Sequence, residues 1–139
     1  MPFEDEKAAV RRFFQDVWND ARVAEAASFL APEFVSHNTV GVSVLGPEEY
    51  GRAVLMYRTA FPDLVTTVED VLADGDRVAV RGTDRGTHLG AFLGYPPTGR
   101  QVTTTWIEIF RLEAGKAVEG WLETDVKRLL DQLAEGPAD

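Results

Sequence analysis

The chain has 139 residues, 14 Lys and Arg against 23 Asp and Glu, a formal net charge of −9 and no cysteine. That length suits one domain able to bury roughly two-thirds of its unfolded surface, so its core needs no disulfide or metal staple. The missing cysteine excludes thiol nucleophiles, thiolate metal sites and disulfides, and an acidic balance spread along the chain argues against nucleic acid and anionic membranes as partners.

The amino terminus, "MPFEDEKAAV", lacks the basic segment and apolar run of a secretion signal. No apolar stretch reaches bilayer length, so the expected location is cytoplasmic. In "EKAAVRRFFQDVWND", Val10, Phe13, Phe14, Val17 and Trp18 recur at helical spacing and predict a first helix. "RVAEAASFLAP" predicts a second helical piece stopping at Pro32, and "EFVSHNT" a short extended segment carrying His37. "GPEEYGRAVLMYRTAFPD" has Pro47 at a helix start, two glutamates in the first turn, and Tyr50, Val54, Tyr57 and Phe61 at spacings of four, three and four; it predicts a third helix ending near Pro62.

From there the period changes to that of strands. "LVTTVEDVLAD", "RVAVRGTDRGTH", "QVTTTWIEIFRL" and "AVEGWLETD" are rich in β-formers, and "ADGD" and "EAGK" punctuate them as tight hairpin turns, which predicts four long antiparallel strands. "VKRLLDQLAE" closes the chain as a short amphipathic helix, and "EGPAD" reads as a frayed tail. With no repeat and no linker, residues 1–139 form one domain. Helices followed by a strand meander predict an α+β fold in which a curved sheet packs one face on the helices, leaving a cone with a cavity.

"GTHLGAFLGYPPTGR" carries His88 in a stretch of glycines and prolines, a composition chosen for backbone shape. Either His88 is a turn histidine bonded to backbone, or a stiff loop delivers it to the cavity mouth. Strand periodicity places Glu119, Trp121, Glu123 and Asp125 on one face, which is either the pocket or solvent. Asp63 in "FPDL" suits a helix stop, and His37 a strand end. The two histidines share no helical turn and no metal-ligand spacing occurs, so no metal is expected.

The combination of "VSHN", "AFPDL", "GTHLGAFLGYPPTGR", "IFRLEAGKAVEGW" and "TDVKRLLDQL" resembles the SnoaL-like polyketide cyclase family, of nuclear-transport-factor-2-like cone fold, from about Phe13 to Leu133. The resemblance implies cofactor-free ring closure by intramolecular aldol chemistry on an aromatic or polycyclic polyketide-like substrate. It implies Asp125 as acid/base, with His88, Asp63 and His37 as further catalytic positions. Glu123, where the family often has a small apolar residue, and "HNT", where many members read "HDP", depart from the pattern.

Aldol closure needs a base for a proton flanked by carbonyls, donors for the enolate, and an acid for the new alkoxide. An aspartate becomes an adequate base when apolar walls raise its pKa by desolvation. Trp106, Trp121, Phe92, Tyr50 and Tyr57 are the candidate walls for a flat substrate, and Glu108 joins them as a candidate substrate contact. Alternative functions are a cofactor-free hydroxylase, an isomerase, an epoxide hydrolase or a non-catalytic binding module. Apolar residues on both alternating faces of the long strands predict a homodimer through the outer face of the sheet.

Overall fold

A computed structural model describes residues 3–38 and 44–138; the last residue of the segment "EFVSHNT" lies outside them. Helix α1 (Glu4–Phe13) widens into a π-helical turn over Phe14–Asn19. A 3₁₀ turn (Val23–Glu25) leads into α2 (Ala26–Phe29), then β1 (Leu30–Asn38), β2 (Val44–Leu45), α3 (Gly46–Ala60), β3 (Val65–Asp74), β4 (Arg77–Thr87), β5 (Gln101–Glu113), β6 (Lys116–Thr124) and α4 (Val126–Ala134).

The six strands form one curved, unclosed sheet in the order β2-β1-β6-β5-β4-β3, parallel only between β1 and β6. The chain is therefore α+β, with the N-terminal helices packed into the concave face. The hairpin turns fall where expected. Asp74 pairs with Arg77 and Glu113 with Lys116, and Ala114 and Gly115 both take positive φ (49° and 79°), the backbone a two-residue hairpin of matching twist requires.

Two boundaries differ from the sequence reading. Pro32 lies inside β1 rather than ending a helix; it falls where the β1–β6 register breaks between Leu30 and Val35, a place where a missing N–H costs no ladder bond. The C-terminal tail is fastened rather than frayed. Arg100 donates to the Gly136 carbonyl (2.6 Å) and the Pro137 carbonyl (3.3 Å), and the Ala138 N–H donates to the Thr98 carbonyl (2.7 Å).

The core is unusually aromatic. Phe13 from the end of α1, Phe14 from the π-helical turn, Phe29, Phe34, Tyr50 and Phe110 pack ring against ring, with centroid separations of 5.1 Å for Phe13–Phe29 and 5.2 Å for Phe29–Phe110. Such pairs favour edge-on and tilted contacts over face-to-face ones, as here. Among the described residues no helix is long and apolar enough to cross a membrane.

Candidate active site

Strand alternation sends Val78, Val80, Gly82 and Asp84 of β4, and Val102, Thr104, Trp106, Glu108 and Phe110 of β5, into the concave face. Two carboxylates therefore point inward. Asp84 is half-buried, and its Oδ1 accepts hydrogen bonds from Thr66 Oγ1 (2.8 Å) and Trp106 Nε1 (2.9 Å). Burial pushes its carboxyl up to about 6, against the opposing pull of these two donors. Asp84 lines a void of about 30 Å³ with Tyr57, Phe61, Leu64, Gly86, Val102, Thr104 and Leu129. That is room for a water molecule. Burial, and after it the Asp84 charge, raise the Tyr57 phenol, so Tyr57 keeps its proton.

The Trp106 indole lies directly over Gly82, its partner across the β4–β5 ladder; a Cβ there would overlap the six-membered ring. Phe14 closes the stack from the helix side at 4.8 Å. Gly82→Ala should therefore push the indole off its Asp84 bond and cost about 1–3 kcal/mol by overpacking. Urea unfolding together with tryptophan fluorescence checks this, and an unchanged midpoint would refute it.

Glu108, the next inward residue after Trp106, is 2 % exposed, and its Oε2 has no hydrogen-bond partner among the described residues. Burial alone pushes its carboxyl up to about 8, so it is mainly the neutral acid at pH 7. Nearby, the Tyr50 hydroxyl accepts from Trp18 Nε1 at 2.7 Å, a contact supplied by the π-helical turn that carries Trp18. Burial and then the field of Glu108 raise the Tyr50 phenol well above its ordinary value.

The family model for SnoaL-like polyketide cyclases matches residues 8–133. The chain belongs to the SnoaL-like polyketide cyclase family. Aklanonic acid methyl ester cyclase AcmA of Streptomyces galilaeus is 28 % identical over 111 residues, covering 78 % of this chain and 76 % of that protein. Among solved structures, AclR of the same organism, a proposed hydroxylase, superposes with a TM-score of 0.82 at 30 % identity, over 96 % of this chain and 98 % of that one. A proposed SnoaL-like polyketide cyclase from Jannaschia superposes with a TM-score of 0.87 at 28 % identity, over 99 % and 97 %.

In this SnoaL-like protein the motif positions lie apart from the interior carboxylates. Asp125 was expected to be desolvated within the cavity; it is exposed and caps α4, its Oδ1 accepting from the Arg128 N–H at 3.1 Å. The reason is the phase of β6. Gly120 and Leu122 face inward, whereas Glu119, Trp121 and Glu123 point outward. That answers the question left open for the two glutamates and moves Trp121 to the convex face. There Trp121 stacks on His37 (5.8 Å) beneath Arg77 (5.0 Å), and His37 Nε2 sits 2.8 Å from Glu119 Oε2. His37 is thus an exposed convex-face residue as well. Asp125→Ala should cost about 1 kcal/mol as a lost cap, whereas Asp125→Asn, which caps as well, should cost only a few tenths. Urea midpoints of the two variants check this; equal losses would contradict it.

His88 is fully buried and does not line the void. Its Nδ1 accepts from the Thr98 N–H (3.3 Å) and lies 3.0 Å from Thr98 Oγ1, which assigns the ring proton to Nε2. The imidazole packs on Phe61, and burial lowers its pKa, so it stays neutral. It staples the glycine-rich loop, with Gly90 pressed against the end of α3, where a Cβ would lie 2.6 Å from the Thr59 carbonyl. Asp63 is a second staple: its carboxylate accepts from the Thr87 hydroxyl and N–H, both at 2.7 Å, and these bonds hold its pKa down. Phe92 is buried against Tyr57 (5.1 Å) and Phe61 (5.3 Å), behind the void. Of the expected site residues, the structure gathers Tyr50, Tyr57, Trp106 and Glu108 in the interior, and it adds Asp84.

Proposed function

We propose that this SnoaL-like protein is a cofactor-independent acid/base enzyme that closes a ring on a neutral, polyketide-like ester, with Asp84 as the base. The observation that carries this is the Asp84 carboxylate. Both donors meet Oδ1, which leaves Oδ2 for the void, and apolar walls raise its pKa to about 6, close to the working range of a general base. Asp84 takes a proton from a carbon flanked by carbonyls. The electron pair released attacks a second carbonyl carbon of the same molecule, forming the C–C bond, and the resulting alkoxide takes back the proton from Asp84. Reactant and product are isomers, and no external redox partner enters. The protonated Tyr57 phenol on the same void supplies a donor to the enolate oxygen.

A void of about 30 Å³ is closed to such a substrate, since ligand pockets run to several hundred Å³. Leu129 of α4 is one wall, and in this proposal α4 swings away for entry. The test is conversion of aklanonic acid methyl ester, the substrate in the relative's name, followed by chromatography for a cyclised isomer. No conversion by the wild-type chain would refute the cyclase reading. The likeness to AclR favours a second reading, cofactor-free hydroxylation, in which the same carboxylate would deprotonate a quinol substrate that then reacts with dioxygen to give the hydroxyquinone and water; an oxygenated product in place of an isomer would select it.

The chain also pairs as a homodimer through the convex face of the sheet in this proposal. Ile107 and Ile109 are 51 % and 37 % exposed there, among residues of both charge signs such as Arg81 and Glu123. A two-fold axis brings such a patch onto itself and opposite charges together. Light scattering should give about twice 15.4 kDa for the wild type and monomer for Ile107→Glu; a monomeric wild type at micromolar concentration would refute the pairing.

A further inference from the structure

Among the described residues two buried side-chain polar atoms lack a hydrogen-bond partner, His88 Nε2 beneath the glycine-rich loop and Glu108 Oε2 in the aromatic core. Glu108 is 2 % exposed and its Oε2 is unpartnered among the described residues. The space for its head is built by an absence: a Cβ on Gly120 would stand 3.0 Å from Glu108 Oε2 and 3.2 Å from Phe34 Cζ. A leucine would fill such a site without the cost of burying an unpaired carboxyl, so packing does not explain the residue. Ladder register separates it from Asp84. Asp84 pairs with Thr104, and Glu108 lies four residues further along β5, a span of roughly 13 Å. One acid and one base so far apart do not serve the same reacting carbon, but a molecule of several fused rings can touch both. Between them stands the Trp106 indole over the bare Gly82, with the Phe14 ring stacked on it.

We infer that Glu108, as a neutral carboxylic acid, is a hydrogen-bond anchor for a carbonyl or phenolic oxygen at the far end of a flat polycyclic substrate whose reacting end meets Asp84. This rests on the reading of Asp84 as the base and adds the length and polarity of the substrate. The anchor discriminates by charge. A neutral oxygen acceptor fits a protonated carboxyl, whereas a carboxylate at that end would have to give up its hydration to enter an apolar enclosure. Because the ionised form of Glu108 cannot donate, affinity falls as pH rises through about 8.

The experiment measures binding of anthraquinone, a neutral tricyclic diketone that does not titrate, and of anthracene, the same skeleton without oxygens, by quenching of tryptophan fluorescence. Wild type and Glu108→Gln, which keeps a donor, should prefer anthraquinone by about tenfold. Glu108→Leu should lose that preference while binding anthracene as tightly as before. Wild-type affinity for the diketone should fall between pH 7 and 9, and that of Glu108→Gln should stay level. Equal preference in wild type and Glu108→Leu, a level wild-type profile, or no binding of the diketone would each overturn the anchor. Turnover by Asp84→Asn tests the base separately, so either assignment can fail without the other.

Discussion

Asp84→Asn is expected to reduce turnover by about 10² to 10⁴ without unfolding the protein. The amide keeps the size of the side chain and an oxygen to accept from Thr66 and Trp106, so the contacts at 2.8 and 2.9 Å survive. What it loses is the ability to take a proton, which is the contribution a positioned base makes. The pH profile gives an independent signature. A base with a pKa near 6 makes the wild-type rate rise with pH through that value, and the rise should be absent from the residual activity of the variant. The sign on stability is opposite. A carboxyl raised from 3.8 in the unfolded chain to about 6 in the folded one favours the folded state in acid, and this is lost as pH climbs through 6. The variant should thus gain relative to wild type at neutral pH. A variant that turns over at the wild-type rate would return the base to some other group, Asp125 first among them.

Glu108→Leu should be the most stabilising single substitution in the core above pH 8. The folded chain holds this proton up to about 8, whereas the unfolded chain gives it up at 4.5. Between those values folding requires proton uptake, and wild-type stability falls by about 1.4 kcal/mol per pH unit, to a total of roughly 5 kcal/mol. Below pH 4.5 this penalty is absent and only the cost of an unpartnered neutral carboxyl remains. Denaturant unfolding at pH 5 and pH 8 should therefore show the variant pulling away from wild type as pH rises. Parallel curves would mean that water or a neighbour partners the acid. Stability gained together with ligand preference lost is the trade expected of a functional group set in a core.

The architecture was legible because it rests on periodicity. The change from helical spacing in α1 and α3 to alternation in four strands fixes an α+β fold, and "ADGD" and "EAGK" mark the hairpins that set the order of the sheet. The site was less legible, because a strand pattern gives two faces without saying which is concave. On β6 that choice sends Trp121 and Glu123 outward and leaves Gly120 inside. On β4 the signal for Asp84 was present and unread: in "RVAVRGTD" a carboxylate follows Val78, Val80 and Gly82 on the same phase, an acidic residue at the end of an otherwise apolar row. Of the motif residues, Asp63 bonds Thr87 and His88 bonds Thr98 through Nδ1, contacts that hold a loop of special backbone shape in place.

The start of β5 runs on beyond the end of β6, whose last pair is Trp106 with Thr124, so the edge of β5 from 101 to 105 has no strand beside it. Gln132 of α4 covers it. Its Oε1 accepts from the Thr103 N–H at 3.0 Å and its Nε2 donates to the Thr103 carbonyl at 2.8 Å, so one side-chain amide imitates the residue of a missing strand. An uncovered edge is a template on which another chain's strand can add. The helix proposed to swing for ligand entry is thus also the guard against intermolecular sheet growth, and each such opening would leave Thr103 free to pair with a neighbour. Prolonged occupancy of the open state carries a hazard of aggregation that a tightly closed helix avoids.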